Sequence, residues 1–382
     1  MTSIPFFSVI IPTRNRPELF KDALQSVLLQ DFNDFEVIIS DNSTDENTQV
    51  AIEPFANNSK LIAFRVDGNL SMPQHWEFAT QKARGRYVLV LTDRSVLKQH
   101  ALHTIHAAIN ASVDDVLVCA WRWSLFDDNT GCEYADFPII KQDAIVNLSS
   151  QEIVRNFVNR QEGYPYDLPR ALNSCYRNDI AACIRNHGAL FLPISPDFTS
   201  AFLLLAHIKQ VLFLDTALFI SQGLSVSNGG QASDSMSAAE NYLSTLGITD
   251  YYAHVPIKMP LVENIIFEDF LSIQELIGGE LNKVDMNWVE YFVRCRKEII
   301  GKTSAKEAFK NQWELALNAI DEDTHNKIKK RLSALWWVRF KTHIKKIKFV
   351  VILITAIKNV SFYRKKYQPT TILVTAGYCL ND

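Results

Sequence analysis

The fold is decided by the stretch FFSVIIPTRNRPELFKDALQSVLLQDFNDFEVIISDNSTD, which covers residues 6–45. Residues 6–11 form a continuous apolar run, which is typical of a strand buried on both faces of a parallel sheet. Pro17 suits the first turn of a helix, and apolar residues then recur at helical spacing. A second apolar run, residues 35–40, ends in turn-forming residues. The stretch therefore predicts a strand, a helix and a second parallel strand, and ligands of such sheets bind beyond the carboxyl ends of the strands.

The same stretch closely resembles the opening of family 2 glycosyltransferases, which have the nucleotide-sugar-binding GT-A fold. The strand, the PTRNR turn, the helix, Q-x-F, the second strand and D-N-S-T-D follow one another at the family's spacing. The resemblance implies that the acidic residue before N-S binds the nucleotide base, and this residue is Asp41. Capping of the next helix is the alternative role, but Thr44 and Asp45 are better placed for it.

The resemblance also predicts the organisation of the chain. It is clear over roughly the first 100 residues, fainter to about residue 230 and absent beyond, where the apolar spacing becomes helical. Alternating strands and helices predict an α/β fold, with a mostly parallel GT-A sheet flanked by helices and an all-helical C-terminal region. We expect a GT-A glycosyltransferase domain over 1–230, a helical region over 231–323 and a basic, aromatic segment over 324–382.

A second motif, ARGRYVLVLTDRS at residues 83–95, matches the family's A-x-G-x-Y and the strand that follows it. Gly85 is a candidate to end the preceding helix. In the family this strand ends in Asp-x-Asp or D-D-D. Asp93 matches the leading carboxylate, which touches the ribose or the metal shell, whereas Arg94 and Ser95 stand where the family places its metal-ligating carboxylate. A single Asp is a poor cation site, because a divalent cation prefers several hard oxygen ligands.

Several interpretations of this departure remain open. In the first, no metal is required and the Arg94 guanidinium binds the diphosphate in its place. In the second, Asp93 holds Mn²⁺ or Mg²⁺ weakly. In the third, the site has decayed, and the protein binds a nucleotide sugar or acts as a scaffold without catalysing transfer. A plain ion pair between Arg94 and Asp93 is a further possibility.

The resemblance implies a catalytic base at a helix start about 100 residues after the acidic motif. Asp197 follows Pro196 at this distance, although the helix dipole alone also favours an Asp there. Asp167 and Asp179 are reserve candidates. If Asp197 is the base, attack is direct and the anomeric configuration is inverted.

The predicted site thus has Asp197 and Arg94 as its catalytic residues, with Asp93 as the possible metal ligand. The residues expected to bind the donor are Pro12, Thr13, Arg14, Asn15, Asp41, Asn42, Ser43, Asp93 and Ser95. Three aromatic residues are candidates to stack on sugar rings, although core positions are commoner for such residues: Trp121, Trp123 and Tyr166.

Charge is unevenly distributed along the chain of 382 residues, whose net charge is −3. Residues 324–381 contain 13 Lys and Arg and no Asp or Glu. Basic residues mixed with Trp and Phe are typical of helices that dock on an anionic membrane surface. A packed terminal helix with a solvated basic face, or a nucleic-acid patch, is the alternative. The apolar run at 349–357 is too short to span a bilayer.

The six cysteines show no metal-binding spacing, and no signal peptide is apparent, which favours a reducing cytoplasm. Together these features predict an inverting glycosyltransferase on the inner face of the cytoplasmic membrane. It is expected to move a sugar from a nucleotide diphosphate sugar to a glycan, with a lipid-linked glycan as the expected acceptor, in bacterial surface polysaccharide assembly. The acceptor and the pathway rest on the resemblance, and no motif specifies the sugar, the base or the linkage.

Overall fold

The computed structural model describes residues 4–66, 69–127, 130–134, 144–160, 165–222, 243–244, 246, 251–302, 306–336 and 371–378. Within these residues one sheet contains ten strands. They are β1 Phe7–Thr13, β2 Phe35–Asp41, β3 Leu61–Arg65, β4 Tyr87–Val90, β5 Ser95–Leu97, β6 Val118–Asp127, β7 Cys132–Tyr134, β8 Ile145–Ser149, β9 Ser174–Arg177 and β10 Gln210–Gln222. Their order is β3-β2-β1-β4-β9-β6-β10-β5, with β7 beside β6 and β8 beside β10.

Helices flank this sheet, and the regular elements described after β10 are helical. They are α1 Pro17–Leu28, α2 Asn47–Ile52, α3 Met72–Thr80, α4 Ala101–Ala111, α5 Ser150–Asn159, α6 Asn178–Arg185, α7 Pro196–His207, α8 Val262–Leu276, α9 Trp288–Gly301, α10 Lys306–Asn318, α11 at residues 322–336 and α12 Ile372–Thr375. Short 3₁₀ turns cover Glu53–Phe55 and Gly279–Lys283. The predicted α/β class with a helical C-terminal region is confirmed.

The quoted N-terminal stretch folds as predicted. All seven residues of β1 are buried, and this strand pairs in parallel with β2 on one side and β4 on the other. Pro17 opens α1, whose Phe20, Leu24 and Val27 are buried against the sheet. The sheet is parallel from β3 through β2 and β1 to β4, after which β9 joins β4 and β6 in antiparallel pairing.

Gly85 does not end a helix, so that prediction is wrong. Helix α3 stops at Thr80, and Gly85 instead lies against β1, where its N–H donates to Ser8 Oγ at 2.8 Å. A Cβ at this position would lie 2.6 Å from the backbone nitrogen of Ser8. Glycine is therefore required here for close approach between two backbone segments.

The core continues from the sheet layer into the C-terminal helices. Phe157 of α5 contacts Phe202 of α7 and also Phe267 and Phe270 of α8, with ring centroids 4.9–5.3 Å apart. Arg294 of α9 is buried beside them and donates to the carbonyl of Phe157 at 2.7 Å. The helical region thus shares one hydrophobic core with the elements that follow the sheet.

The last described residues return to the N-terminal half of the chain. Ile372 and Leu373 pack in a small apolar cluster with Val96 of β5 and Ile220 of β10. None of the helices in the described ranges combines the length and apolar character needed to cross a bilayer. Most of the predicted basic segment, residues 337–370, lies outside the described residues.

Candidate active site

The carboxyl ends of three adjacent strands bring polar side chains to one edge of the sheet. Thr13 ends β1 directly opposite Asp41 at the end of β2, and Asp93 follows β4 on the other side of β1. Asp93 is 7% exposed and accepts a hydrogen bond from Thr13 Oγ1 at 3.3 Å. Arg16 Nη1 lies 3.7 Å from its other oxygen. Burial raises the pKa of Asp93, and the Arg16 charge opposes that shift.

Asp41 has the environment of a ligand-binding carboxylate. It is 2% exposed, and its Oδ1 accepts a hydrogen bond from the Ser43 N–H at 2.9 Å. Its buried Oδ2 has no hydrogen-bond partner among the described residues. The neighbouring His75 is bound to Ser40 Oγ at 2.9 Å, and burial lowers the pKa of His75 to about 4. Because an unpaired buried acceptor is costly, Asp41 is suited to accept an N–H from a ligand.

Several of the side chains that were predicted to bind the donor instead form hydrogen bonds between chain segments at this edge. These segments are the loop after β1, the loop after β2 and the backbone at Leu70. Asn15 has a left-handed φ of 56°, and its Oδ1 accepts from the Thr44 N–H at 2.8 Å while its own N–H donates to Ser43 Oγ at 2.9 Å. The Asn42 side chain donates to the Leu70 carbonyl at 2.8 Å and accepts from the Leu70 N–H at 3.2 Å. These three side chains shape the rim of the site. Their role in binding the donor stays a prediction.

Two other predicted donor residues differ in exposure. Pro12 is buried inside β1, one residue before the end of that strand. Arg14 is exposed, and its Nη1 lies 3.5 Å from the Leu70 carbonyl. The described side chains therefore leave Arg14 at the solvent side of the site.

The two residues that depart from the family motif have different environments. Arg94 is half-buried, and its Nη1 donates to the carbonyl of Gln222 at 2.6 Å. Ser95 is buried at the start of β5, where its Oγ donates to Ser221 Oγ at 3.1 Å and lies 2.9 Å from Thr92 Oγ1. The Ser95 hydroxyl thus joins β5 to β10, whereas Arg94 retains further N–H donors for a ligand.

Asp197 lies in the first turn of α7, as predicted, and its side chain is 18% exposed. Its Oδ2 lies 3.5 Å from Arg170 Nη1. Burial raises the pKa of Asp197, and the charges of Arg170 and Arg94 oppose that shift. The structure therefore places the candidate base within electrostatic reach of Arg94, which directly follows Asp93 in the chain.

Arg170 and Arg16 were not predicted from the sequence. The Arg170 guanidinium lies over the rings of Trp123 and Phe198, at 4.5 and 5.0 Å from their centroids. Its Nε is buried without a hydrogen-bond partner in the described part of the chain. Arg16 belongs to the PTRNRP turn, which the sequence had already marked as part of the family resemblance. Arg170 lies in no motif that could have identified it.

The reserve carboxylates are poorly placed for catalysis. Asp167 is 1% exposed and accepts from Asn156 Nδ2 at 2.7 Å, and burial raises its pKa to about 7. Asp179 is on the surface of α6 and accepts from Arg177 Nε at 2.7 Å. Neither side chain shares a contact with Asp93 in the described structure.

Trp121 and Tyr166 occupy core positions, which was the commoner of the two roles considered for them. They are only 1% and 3% exposed, so neither offers a ring face to a ligand. Trp123 is half-buried and packs against Tyr166 with the ring centroids 4.4 Å apart. Its contact with Arg170 makes it a support for that cation.

The residues at the strand end do not fit a divalent cation. Asp93 is the single carboxylate of the motif, and Thr13 and Arg16 already contact its two oxygens. Across the described ranges, no group of three or more His, Cys, Asp or Glu side chains is arranged to hold a metal ion. Mg²⁺ and Mn²⁺ are held by several oxygen ligands, and this donor set does not provide them.

Comparison with solved structures gives modest overall similarity. The TarS fragment 1–349 of S. aureus in complex with UDP-GlcNAc is 17% identical, with a TM-score of 0.48, covering 86% of this chain and 92% of that chain. The mannosyltransferase PcManGT from Pyrobaculum calidifontis, in complex with GDP-Man and Mn²⁺, is 13% identical, with a TM-score of 0.45, covering 94% and 88%.

Sequence comparison identifies curated relatives over the N-terminal part. GalNAc(5)-diNAcBac-PP-undecaprenol beta-1,3-glucosyltransferase of Campylobacter jejuni is 29% identical over 109 residues, which are 28% of this chain and 35% of that protein. Poly(ribitol-phosphate) beta-N-acetylglucosaminyltransferase TarS of Staphylococcus aureus is 29% identical over 115 residues, 29% of this chain and 20% of the relative. The chain thus spans about a third or less of the length of these relatives. Residues 8–161 match the model of the family described as glycosyl transferase family 2. The N-terminal part of the chain therefore carries a glycosyl transferase family 2 domain.

Proposed function

We propose that the protein transfers a sugar from a nucleotide diphosphate sugar to a glycan acceptor, with inversion at the anomeric carbon. One observation carries this proposal: inside the family domain, Thr13, Asp41 and Asp93 lie together at the carboxyl ends of adjacent parallel strands. This edge is where open α/β sheets bind ligands. The unpartnered oxygen of Asp41 is suited to an N–H of the nucleobase, and Asp93 is suited to the ribose hydroxyls.

The proposed chemistry needs a base and a stabilised leaving group. An acceptor hydroxyl attacks the anomeric carbon, and the bond from this carbon to the diphosphate oxygen breaks with its electron pair on the diphosphate. Asp197 takes the hydroxyl proton, and Arg94 lies close enough to Asp197 for the two charges to interact. A guanidinium fixed beside the diphosphate stabilises the charge that develops on it. A single direct displacement gives the inverted product.

The acceptor is proposed from chemistry and similarity together. The Campylobacter relative is named for GalNAc(5)-diNAcBac-PP-undecaprenol, and TarS is named for poly(ribitol-phosphate). A lipid-linked glycan in bacterial surface polysaccharide assembly is therefore the acceptor class that we propose for this chain.

Such an acceptor implies work at a membrane surface, and we place the protein on the inner face of the cytoplasmic membrane. Helix α11 supports this placement, since Lys329 and Lys330 are exposed and Trp336 is 56% exposed, whereas Lys327 is paired with Asp323 of the same helix. Each basic residue near an anionic leaflet contributes about 1 kcal/mol of attraction. Vesicles containing anionic lipid, but not neutral vesicles, are expected to retain the purified protein.

A second candidate function is nucleotide-sugar binding without catalysis. The observation that favours it is the sequence Arg94-Ser95 in place of a second carboxylate. The two candidates differ in what Asp197 does. A binding protein keeps its full behaviour when Asp197 is neutralised, whereas a transferase loses turnover and keeps its donor affinity.

The test starts with a thermal-shift screen of the full chain against UDP-, GDP- and dTDP-sugars. For the donor class that stabilises the protein, release of the nucleoside diphosphate is then measured with and without lipid-linked glycan acceptors. Asp197→Asn should abolish turnover and retain donor binding, while Asp41→Asn should weaken binding. Asp31→Asn is the control, because Asp31 is a surface carboxylate paired with His100 at 2.7 Å. Undiminished turnover in Asp197→Asn would exclude this residue as the base.

A further inference from the structure

We propose that three arginines, Arg16, Arg94 and Arg170, bind the donor diphosphate in place of a divalent cation. This inference rests on the proposed function and deepens it, since it concerns the leaving group of that transfer. The starting point is the mismatch between the donor set at the end of β4 and the needs of a metal ion. The arginines are far apart in the chain but converge on two of the site's carboxylates, Asp93 and Asp197.

The motif at the end of β4 provides only one carboxylate, Asp93, as a ligand for a metal ion. Arg94 brings a positive charge to the place of a carboxylate, and the Ser95 hydroxyl is engaged by Ser221 and Thr92. Asp93 retains only oxygens that Thr13 and Arg16 already contact, at 3.3 and 3.7 Å. A dication added here would also meet the Arg16 and Arg94 charges at close range.

Contacts with the protein hold the guanidinium groups of Arg94 and Arg170 in place. Arg94 Nη1 is anchored on the Gln222 carbonyl at 2.6 Å. Arg170 lies over the rings of Trp123 and Phe198, and its Nη1 lies 3.5 Å from Asp197 Oδ2. Guanidinium groups that are fixed in this way lose little entropy when they bind an anion.

Charged groups of both signs surround Arg94. Burial lowers the pKa of Arg94, and the charges of Arg16 and Arg170 lower it as well, while Asp93 and Asp197 raise it. All four residues thus act electrostatically on Arg94. Around Arg94, three guanidiniums thus face the two carboxylates of Asp93 and Asp197, and this local positive excess favours a phosphate-bearing ligand.

A diphosphate suits this arrangement because guanidiniums donate paired hydrogen bonds to phosphate oxygens. Buried Nε of Arg170 is a donor without a partner in the described structure, so a phosphate oxygen would satisfy it. Fixed cations also stabilise the charge that reaches the diphosphate as the glycosidic bond breaks. Nucleotide binding should therefore persist in EDTA and weaken as ionic strength rises.

The experiment is calorimetric titration of the full chain with UDP, GDP, dTDP, CDP and ADP, in EDTA and again in Mn²⁺. The nucleotide that binds is then compared with its nucleoside. Arg16→Gln, Arg94→Gln and Arg170→Gln should each weaken the diphosphate about tenfold, as expected for a lost charge-assisted hydrogen bond, and leave nucleoside affinity unchanged. Arg155→Gln is the matched control, because Arg155 is exposed on α5 and bonds only within that helix at 3.3 Å among the described contacts.

A variant that places a carboxylate at position 94 tests the inference from the opposite direction. Arg94→Asp supplies a second carboxylate beside Asp93, so its nucleotide binding should become dependent on Mn²⁺. Binding by the native chain that requires Mn²⁺ overturns the inference and leaves the proposed function standing. Equal loss of nucleoside and diphosphate affinity in the glutamine variants also overturns it, since the arginines would then act through the fold. No nucleotide binding in either buffer, by a chain that still melts cooperatively, overturns the proposed function as well.

Discussion

Burial and the ion pair with Arg170 act in opposite directions on the pH range in which the proposed base, Asp197, is ionised. Burial raises the pKa of Asp197, and the Arg170 guanidinium, 3.5 Å away, opposes the rise. Arg170→Gln removes that opposition, so the pKa of Asp197 should rise further. Because the base works only when it is ionised, the acidic limb of kcat/KM should move to higher pH. Release of nucleoside diphosphate measured from pH 5 to 9 checks this.

Two outcomes separate this effect from simple loss of donor binding. A binding defect lowers kcat/KM at every pH, whereas the predicted change also shifts the midpoint of the limb. An unmoved midpoint in Arg170→Gln would contradict the assignment of Asp197 as the titrating group. The Arg155→Gln control should show the native profile in both height and midpoint.

Gly85 gives a prediction about stability at the same scale. A methyl group there would lie 2.6 Å from Ser8 N and 2.7 Å from Ser8 Oγ, an atom that also donates to Glu36 at 2.6 Å. Gly85→Ala should therefore lower the free energy of unfolding by about 1–3 kcal/mol, because β1 and the segment before β4 must move apart. Denaturation in urea measures it. Gly301→Ala is the control, since a Cβ at Gly301 has nothing within 4 Å among the described residues.

Sequence patterns predicted the elements that form locally. The apolar run of β1, Pro17 at the start of α1 and the polar residues after β2 each depend on neighbours in the chain, so spacing and turn chemistry reveal them. For the same reason Asp41 and Asp93 could be assigned to strand ends before their positions were known. Because β2 and β4 both pair in parallel with β1, the ends of these strands lie at the same edge of the sheet.

Contacts between distant elements could not be predicted in this way. Arg94 is anchored on Gln222, and Arg170 is held by Trp123 and Phe198, but no periodicity links these positions. Gly85 has the spacing of a helix terminus, yet its neighbour is Ser8, in a strand near the start of the chain. The site's acidic half was therefore predicted from the sequence, and much of its cationic half was not.

At the scale of elements, the segment 371–378 braces the strand that follows Arg94. Tyr378 Oη lies 2.6 Å from the Ser26 carbonyl of α1 and 3.1 Å from the Leu97 carbonyl of β5, and it accepts from Gln30 Nε2 at 2.6 Å. Tyr378→Phe should lower the free energy of unfolding by about 1–3 kcal/mol, because buried polar groups lose their partner. Thermal and urea unfolding of the full chain measure this change.

The same variant should also affect the site, because β5 begins directly after Arg94. Nucleotide affinity is expected to fall in Tyr378→Phe, while Val374→Ala, at a position 43% exposed on α12, should leave both stability and affinity unchanged. Unchanged stability in Tyr378→Phe would show that the segment 371–378 contacts α1 and β5 without stabilising the fold.

At the scale of the whole molecule, the helical region supports the helix that carries the proposed base. Asp269 of α8 accepts hydrogen bonds from Ser195, two residues before Asp197, and from Tyr251 Oη at 3.1 Å. Burial raises the pKa of Asp269 to about 8, because a charged carboxylate is costly to bury in the core. The start of α7 is thus fixed from the C-terminal side of the chain.

This packing makes a prediction about the boundary near residue 230 that the sequence suggested. A chain ending at 230 lacks Phe267 and Phe270, and their removal exposes Phe157 and Phe202, which are fully buried in the intact chain. Since losing one buried Phe side chain alone costs about 3–5 kcal/mol, this truncation should not unfold cooperatively. It should bind a hydrophobic dye and lack the near-ultraviolet dichroism of the full chain. A sharp, reversible transition with native-like dichroism would instead establish residues 1–230 as an independent folding unit, with the C-terminal helices added to a domain already complete.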